Sequence, residues 1–162
     1  MNDDEEKAVV MYLITNHKTT AGELMSFVQI TLDNFYRLKL DSVEGMITAT
    51  FMSILIVFDA DYDFSRMPEY YDELFDNTEI KTGYPYRSSI RDKRQIRPMI
   101  AKCLSLAKKF KTALEKTMLG PNDTIYIAGT VAVYMVKNTD FTKDDFMDFI
   151  NMVSGYNRGD EK

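Results

Sequence analysis

Lys102, Lys109 and Lys116 recur every seven residues, and Lys108 and Lys111 flank them. On a helix this spacing lines ammonium groups along one edge. That chemistry holds a polyanion; it does not break a bond. Arg91, Arg94 and Arg97 lead into the same stretch. Across residues 87–116, ten Lys/Arg stand against two Asp/Glu, a balance of +8. Residues 1–86 carry six against sixteen, and residues 117–162 carry four against seven. The net charge of −5 therefore conceals a segregated chain. Clustered cations release counterions when they meet phosphates, which gives salt-sensitive affinity. The alternative is that the basic block pairs with the acidic segments, in the same chain or across an oligomer. Exposed pairs are worth only about 0–1 kcal/mol each, a weak reason to keep ten cations together.

Bond-breaking chemistry has little to work with. His17 is the only histidine and Cys103 the only cysteine. Ser-His-Asp and Cys-His nucleophiles would both depend on His17, and a His/Cys zinc site needs four ligands or three plus water. No glycine-rich nucleotide loop, His-Glu-x-x-His or Gly-x-Ser-x-Gly pattern occurs. Asp59, Asp61 and Asp63 copy the first three ligand positions of an EF-hand. Phe64 then stands where glycine must turn the loop, and Tyr70 where the bidentate glutamate belongs. The expectation is a non-enzymatic protein without metal or cofactor. Tyr62, Tyr70, Tyr71, Tyr84 and Tyr86 lie near the basic block. They could stack bases or cover a protein interface.

The segment from Thr19 to Ile47 reads Thr-Thr-Ala-Gly-Glu-Leu, Val-Gln-Ile-Thr, Phe-Tyr-Arg-Leu and Glu-Gly-Met-Ile. It resembles the winged helix-turn-helix family of DNA-binding regulators over about 40 of the 162 residues, counting a supporting helix from residue 4. The resemblance implies a recognition helix holding Thr31, Leu32, Asp33, Asn34, Tyr36 and Arg37. It gives Arg37 and Lys39 to phosphate or guanine, and Asn34 to an adenine edge. A wing should follow Gly45, although the apolar run there has no glycine or asparagine turn for a hairpin.

The elements that must position these groups read as helices. A first is expected over residues 4–16, with acidic residues favouring its first turn and Asn16-His17-Lys18 breaking it. Thr20 and Glu23 form a capping-box pattern. Beyond them two readings stand: one helix with Leu24, Phe27, Val28, Thr31, Phe35 and Leu38 on a stripe, or two helices breaking near residues 29–31. Residues 43–58 fit a helical period, with a short β element near 47–58 as the alternative. Further helices are expected over 66–76, 90–97 and 98–119, from Asn122 or Asp123 to about Lys137, and from Thr142 to Gly155. The stripe of the 98–119 helix would be Ile100, Cys103, Leu104, Ala107, Phe110, Leu114 and Met118.

A chain of 162 residues with 45% hydrophobic and 28% charged content is in the ordinary globular range. The reading is one mainly α domain of six to eight helices spanning 1–162. A subdivision into 1–76 and 90–157 is open, with the loop 77–89 between. One cysteine forms no intrachain disulfide, the N-terminus lacks signal-peptide character, and the apolar run 47–58 is short for a bilayer. A cytoplasmic protein without membrane contact is expected. The first expected function is DNA or other polyanion binding through Thr31, Asn34, Tyr36, Arg37, Lys39, Arg91, Arg94, Arg97, Lys102, Lys108, Lys109 and Lys116, as a monomer or homodimer. The alternative is a helical interaction module, such as a viral or phage inhibitor gripping a host protein, or a self-assembling structural protein. A Bcl-2-like bundle is one form of that module, but the chain has no Trp and so lacks that family's Asn-Trp-Gly-Arg signature.

Overall fold

The apolar stripe of Leu24, Val28, Thr31, Leu32 and Phe35 is continuous, and so is the helix that carries it. The computed structural model describes residues 21–79, 83–88, 90 and 92–154. Its first described helix, α1, spans Ala21–Arg37 without a break. The turn expected near residues 29–31 is not formed. Thr31 caps nothing; its hydroxyl donates to the Phe27 carbonyl at 2.9 Å inside the helix. The expected helix over residues 4–16, the caps at Thr20, His17, Arg91 and the tail from Gly155 lie outside the described residues.

The helix α1 ends where its stripe does. Lys39 takes a left-handed φ of 58°. The Lys39 N–H bonds the Tyr36 carbonyl and the Leu40 N–H bonds the Phe35 carbonyl, the paired bonds of a Schellman ending. Leu40 and Phe35 are both buried, and Leu38 falls off the stripe into solvent.

Helix α2, Ser42–Asp59, replaces the β alternative for 47–58 and removes the expected wing. A capping box starts it: the Glu44 N–H donates to Asp41 Oδ1 at 2.9 Å, and the Asp41 N–H donates to Glu44 Oε1 at 3.1 Å. Helical hydrogen bonding and burial on nearly all sides override the β-branched propensity of this run. By length and composition α2 could cross a membrane, and in this bundle 67% of it is buried.

A short 3₁₀ turn, Phe64–Arg66, precedes α3, Met67–Asn77. The helix expected over 90–97 is instead two single 3₁₀ turns, Lys93–Gln95 and Arg97–Met99, leading into α4, Ile100–Glu115. Helix α5, Pro121–Val136, starts on Gly120 with Pro121 in its first turn, so neither Asn122 nor Asp123 is the cap. Helix α6, Lys143–Ser154, is preceded by Thr142, whose hydroxyl accepts from the Asp145 N–H at 3.1 Å. Six α-helices and no strand are present among the described residues.

Helices α2 and α5 form the centre. Gly45 near the start of α2 lies against Met135 near the end of α5, so the two run antiparallel. Helix α4 packs on α2 and runs parallel to it: Glu44 meets Lys102 at one end, and Asp59 meets Lys111 at the other. Helix α3 packs against α5 and α6, with Tyr71 edge-on to Phe146 at 5.5 Å. Full burial of side chains such as Phe35, Tyr71 and Phe146 stabilises by roughly 1.5–3 kcal/mol each. One core draws on both sides of the 77–89 loop, from Leu24 to Ile150.

Candidate functional site

Helix α4 buries Cys103, Ala107 and Leu114, packs Ile100, Leu106 and Phe110 against the core with Phe110 edge-on to Phe35 at 4.9 Å, and turns its lysine edge outward. Four cations of the 87–116 block already carry ion pairs, although Arg94 and Lys102 remain mostly exposed. Lys102 Nζ reaches Glu44 Oε2 at 2.6 Å. Lys111 is largely covered and binds both Asp59 and Glu115. Arg94 forks onto Asp92 at 2.7 Å, and Arg87 reaches Asp140 at 3.0 Å and the Thr139 carbonyl at 3.1 Å. Arg97, Lys108, Lys109 and Lys116 are exposed, and their side-chain cations make no ion pair or hydrogen bond among the described residues. Lys108 and Lys116 are eight residues apart, roughly 12 Å of helix, so with Lys109 they form a short open row at the end of α4, and Arg97 stands apart in the turn before it. Lys116 sits on the cap rather than the helix. Met118, expected on the buried stripe, is 90% exposed, because the chain turns left-handed there at φ 66°.

The residues assigned to a recognition helix do not share one surface. Thr31 is buried, so it cannot read a base edge. Asn34 is half-buried, and its backbone carbonyl accepts the Leu38 N–H. Tyr36, Arg37 and Lys39 do come together at the exposed end of α1. Arg37 and Lys39 carry no partner among the described residues. Of the tyrosines read as possible base platforms, Tyr70, Tyr71 and Tyr84 are core residues. Tyr62 is half-buried and donates to Asn122 Oδ1 at 2.6 Å. The Asp59, Asp61 and Asp63 run is absorbed by the fold: Asp59 pairs with Lys111, Asp61 takes the left-handed turn ending α2, and Asp63 accepts the Ser65 N–H. Among the described residues no cluster of His, Cys, Asp or Glu could hold a metal.

What the sequence does not foretell is how the loop around Tyr86 seats on the start of α2. The Ser42 N–H donates to the Tyr86 carbonyl at 2.8 Å, and the Ser88 N–H to Ser42 Oγ at 2.9 Å. The Tyr84 hydroxyl donates to the Leu40 carbonyl at 2.8 Å, and the Tyr84 N–H to Asn138 Oδ1 at 2.9 Å. Burial, with Tyr86 and the nearby carboxylates adding to it, pushes the Tyr84 phenol up to about 12, so it stays a hydrogen-bond donor. These bonds lay the Tyr86 ring on the Tyr36 ring, with centroids 5.1 Å apart and planes 11° from parallel. Tyr36 is 46% exposed, Tyr86 36% and Leu38 52%. The only signal in the sequence was the run of tyrosines itself; which of them faced solvent depended on a contact fifty residues away.

Electrostatics around this aromatic pair are already organised. Burial raises the Asp41 carboxyl, against its backbone hydrogen bonds. Burial also opposes the Glu44 carboxylate, but the Lys102 ammonium and the Asp41 N–H outweigh it and hold Glu44 below the usual range. A cleft of about 190 Å³ lies at the far end of α4, lined by Ile56, Lys111, Leu114 and Leu119 among others. The Lys111 ion pairs close its polar side. No family model, curated protein or solved structure matches this chain.

Proposed function

We propose that this chain is a non-enzymatic helical interaction module that binds a partner protein through the Tyr36–Tyr86 surface. One observation carries the reading: two stacked tyrosines are left open to solvent, the loop that carries one of them seated by hydrogen bonds on the start of α2. A ring pair with so little freedom loses little entropy on binding, and tyrosine and arginine are the residue types that dominate interface energetics. A viral or phage inhibitor that grips a host protein is one such module. A photo-crosslinking residue at position 86 tests the reading. The crosslinked protein, once identified and purified, should bind the parent chain and lose about 2 kcal/mol with Tyr36→Ala. If nothing crosslinks in a Tyr36-dependent manner, the reading fails.

A second reading is polyanion contact along α4. The open cations Arg97, Lys108, Lys109 and Lys116 favour it. It keeps the α4 half of the expected nucleic-acid site and drops the α1 half, since the unbroken α1 and the helical α2 offer neither turn nor wing. The salt dependence of duplex DNA binding tests it.

A further inference from the structure

We propose that the partner segment received by the Tyr36–Tyr86 face carries an apolar anchor flanked by acidic side chains. The inference rests on the interaction-module reading and adds the chemistry of the ligand. The apolar half follows from the stacked Tyr36 and Tyr86 rings, both open to solvent, with Leu38 exposed two residues on in the chain. The acidic half follows from which charges remain open. Asp41 accepts the Glu44 N–H, and Glu44 accepts both the Asp41 N–H and the Lys102 ammonium. Asp140 is held by Arg87. The carboxylates bordering the loop are thus committed inside the fold. Asp33, one turn before Arg37, accepts from the Gln29 amide at 2.9 Å.

Arg37 and Lys39, on either side of Leu38 in the chain, have no such commitment. Arg37 offers five N–H donors and matches a carboxylate bidentately. Lys39 adds a second cation, fixed in place by the Schellman ending of α1. A peptide can put carboxylates on these two cations and an aliphatic or aromatic group on the Tyr36–Tyr86 rings. A phosphodiester strand carries one charge per nucleotide along its whole length, and the two cations here would neutralise only two of them, a small gain from counterion release.

The test pans a random displayed-peptide library on the full chain, with counter-selection on Tyr36→Ala/Tyr86→Ala. The strongest peptide is then synthesised and titrated. Selected peptides should combine Asp or Glu with an apolar residue and bind more weakly as salt rises. They should lose about tenfold in affinity with Arg37→Gln/Lys39→Gly. That pair of changes preserves the fold, because glycine suits the left-handed position. Neutral or basic peptides that bind Arg37→Gln/Lys39→Gly unchanged would overturn the acidic ligand and leave the interaction surface standing. No peptide that depends on Tyr36 or Tyr86 would overturn both. Concentration-dependent pairing of the chain with itself, lost in Tyr36→Ala/Tyr86→Ala, would overturn the acidic peptide in favour of a second copy.

Discussion

Ser53 and Tyr71 share a buried hydrogen bond of 2.6 Å, and Ser53 also donates to the Thr50 carbonyl at 2.7 Å. Since the serine proton is used on Thr50, the tyrosine hydroxyl is the donor between them. The asymmetry makes a prediction. Ser53→Ala leaves the buried phenol only the neighbouring Thr50 hydroxyl, which costs about 1–3 kcal/mol, whereas Tyr71→Phe removes the donor and leaves Ser53 still bonded, a loss of about 1 kcal/mol. Urea titration should therefore rank Ser53→Ala as the more damaging change; the reverse order would mean the phenol finds another acceptor. Glu44 makes a second prediction, with a definite sign. Its folded pKa lies below the ordinary 4.5, so its contribution is present above that value and is lost as pH falls through the folded pKa. Asp41, raised by burial, acts in the opposite direction. The readout is accordingly the difference between parent and Glu44→Gln. The variant should be less stable near neutrality, and the gap should close in acid; a gap independent of pH would show that the Lys102 pair contributes nothing.

Helix ends, rather than helix interiors, set the surface of this protein. Lys39, Asp61 and Met118 occupy left-handed positions that glycine usually fills. Two of them place Leu38 and Met118 in solvent. Lys39→Gly should raise stability by about 1 kcal/mol, since a Cβ in that conformation costs about 1–2 kcal/mol and the glycine regains part of this as unfolded-state entropy; thermal unfolding measures it. At the α3–α5 crossing, a Cβ on Gly129 would lie 2.8 Å from Leu74 Cδ2 and 3.2 Å from Tyr70 Cε1. Gly129→Val should cost about 1–3 kcal/mol by overpacking, and a neutral result would mean the two helices separate without penalty. Such features mark how far the sequence could be read. The stripe of Leu24, Val28 and Phe35 made the helical character of α1 legible but not whether it was one helix or two, and the buried faces of α4 and α6 were legible too. The β-branched run of α2 left helix and strand open because propensity is weak beside burial. The Thr-x-x-Glu-Leu and Tyr-Arg pieces suggested two helices with a turn, but Thr31 can bond Phe27 as readily as it can cap, and only packing against α5 decides. The Tyr36–Tyr86 pair was not legible at all, since it depends on a loop bonding to Ser42 from far along the chain.

On the scale of the whole molecule, charge is divided between faces. Helices α3 and α6 pack together and carry Asp72, Glu73, Asp76, Asp144, Asp145 and Asp148, with Lys143 bridging Asp72 and Asp76. Helix α4, which packs on α2 and meets α1 through Phe110 and Phe35, carries the open cations together with the turns at its two ends. A net charge of −5 would repel DNA if it were spread evenly. Segregation means instead that contact is set by the few cations that can reach phosphates together. The fold limits that number, because Lys102, Lys111, Arg87 and Arg94 already hold carboxylates. If Arg97, Lys108, Lys109 and Lys116 all engage a duplex, log affinity should fall with log salt at a slope of about −3.6, roughly 0.9 per phosphate neutralised. Changing Lys108, Lys109 and Lys116 to Gln should bring that slope to about −0.9. Changing Lys102 to Gln should leave it nearly unaltered and lower stability instead, because its ammonium is committed to Glu44. Gel retardation across a salt series reads all three. A parent slope near zero removes the second functional reading. A slope that responds to Lys102 as strongly as to Lys109 would show that the Glu44 pair opens on binding, and the α1 end and the α4 row would then act as one surface.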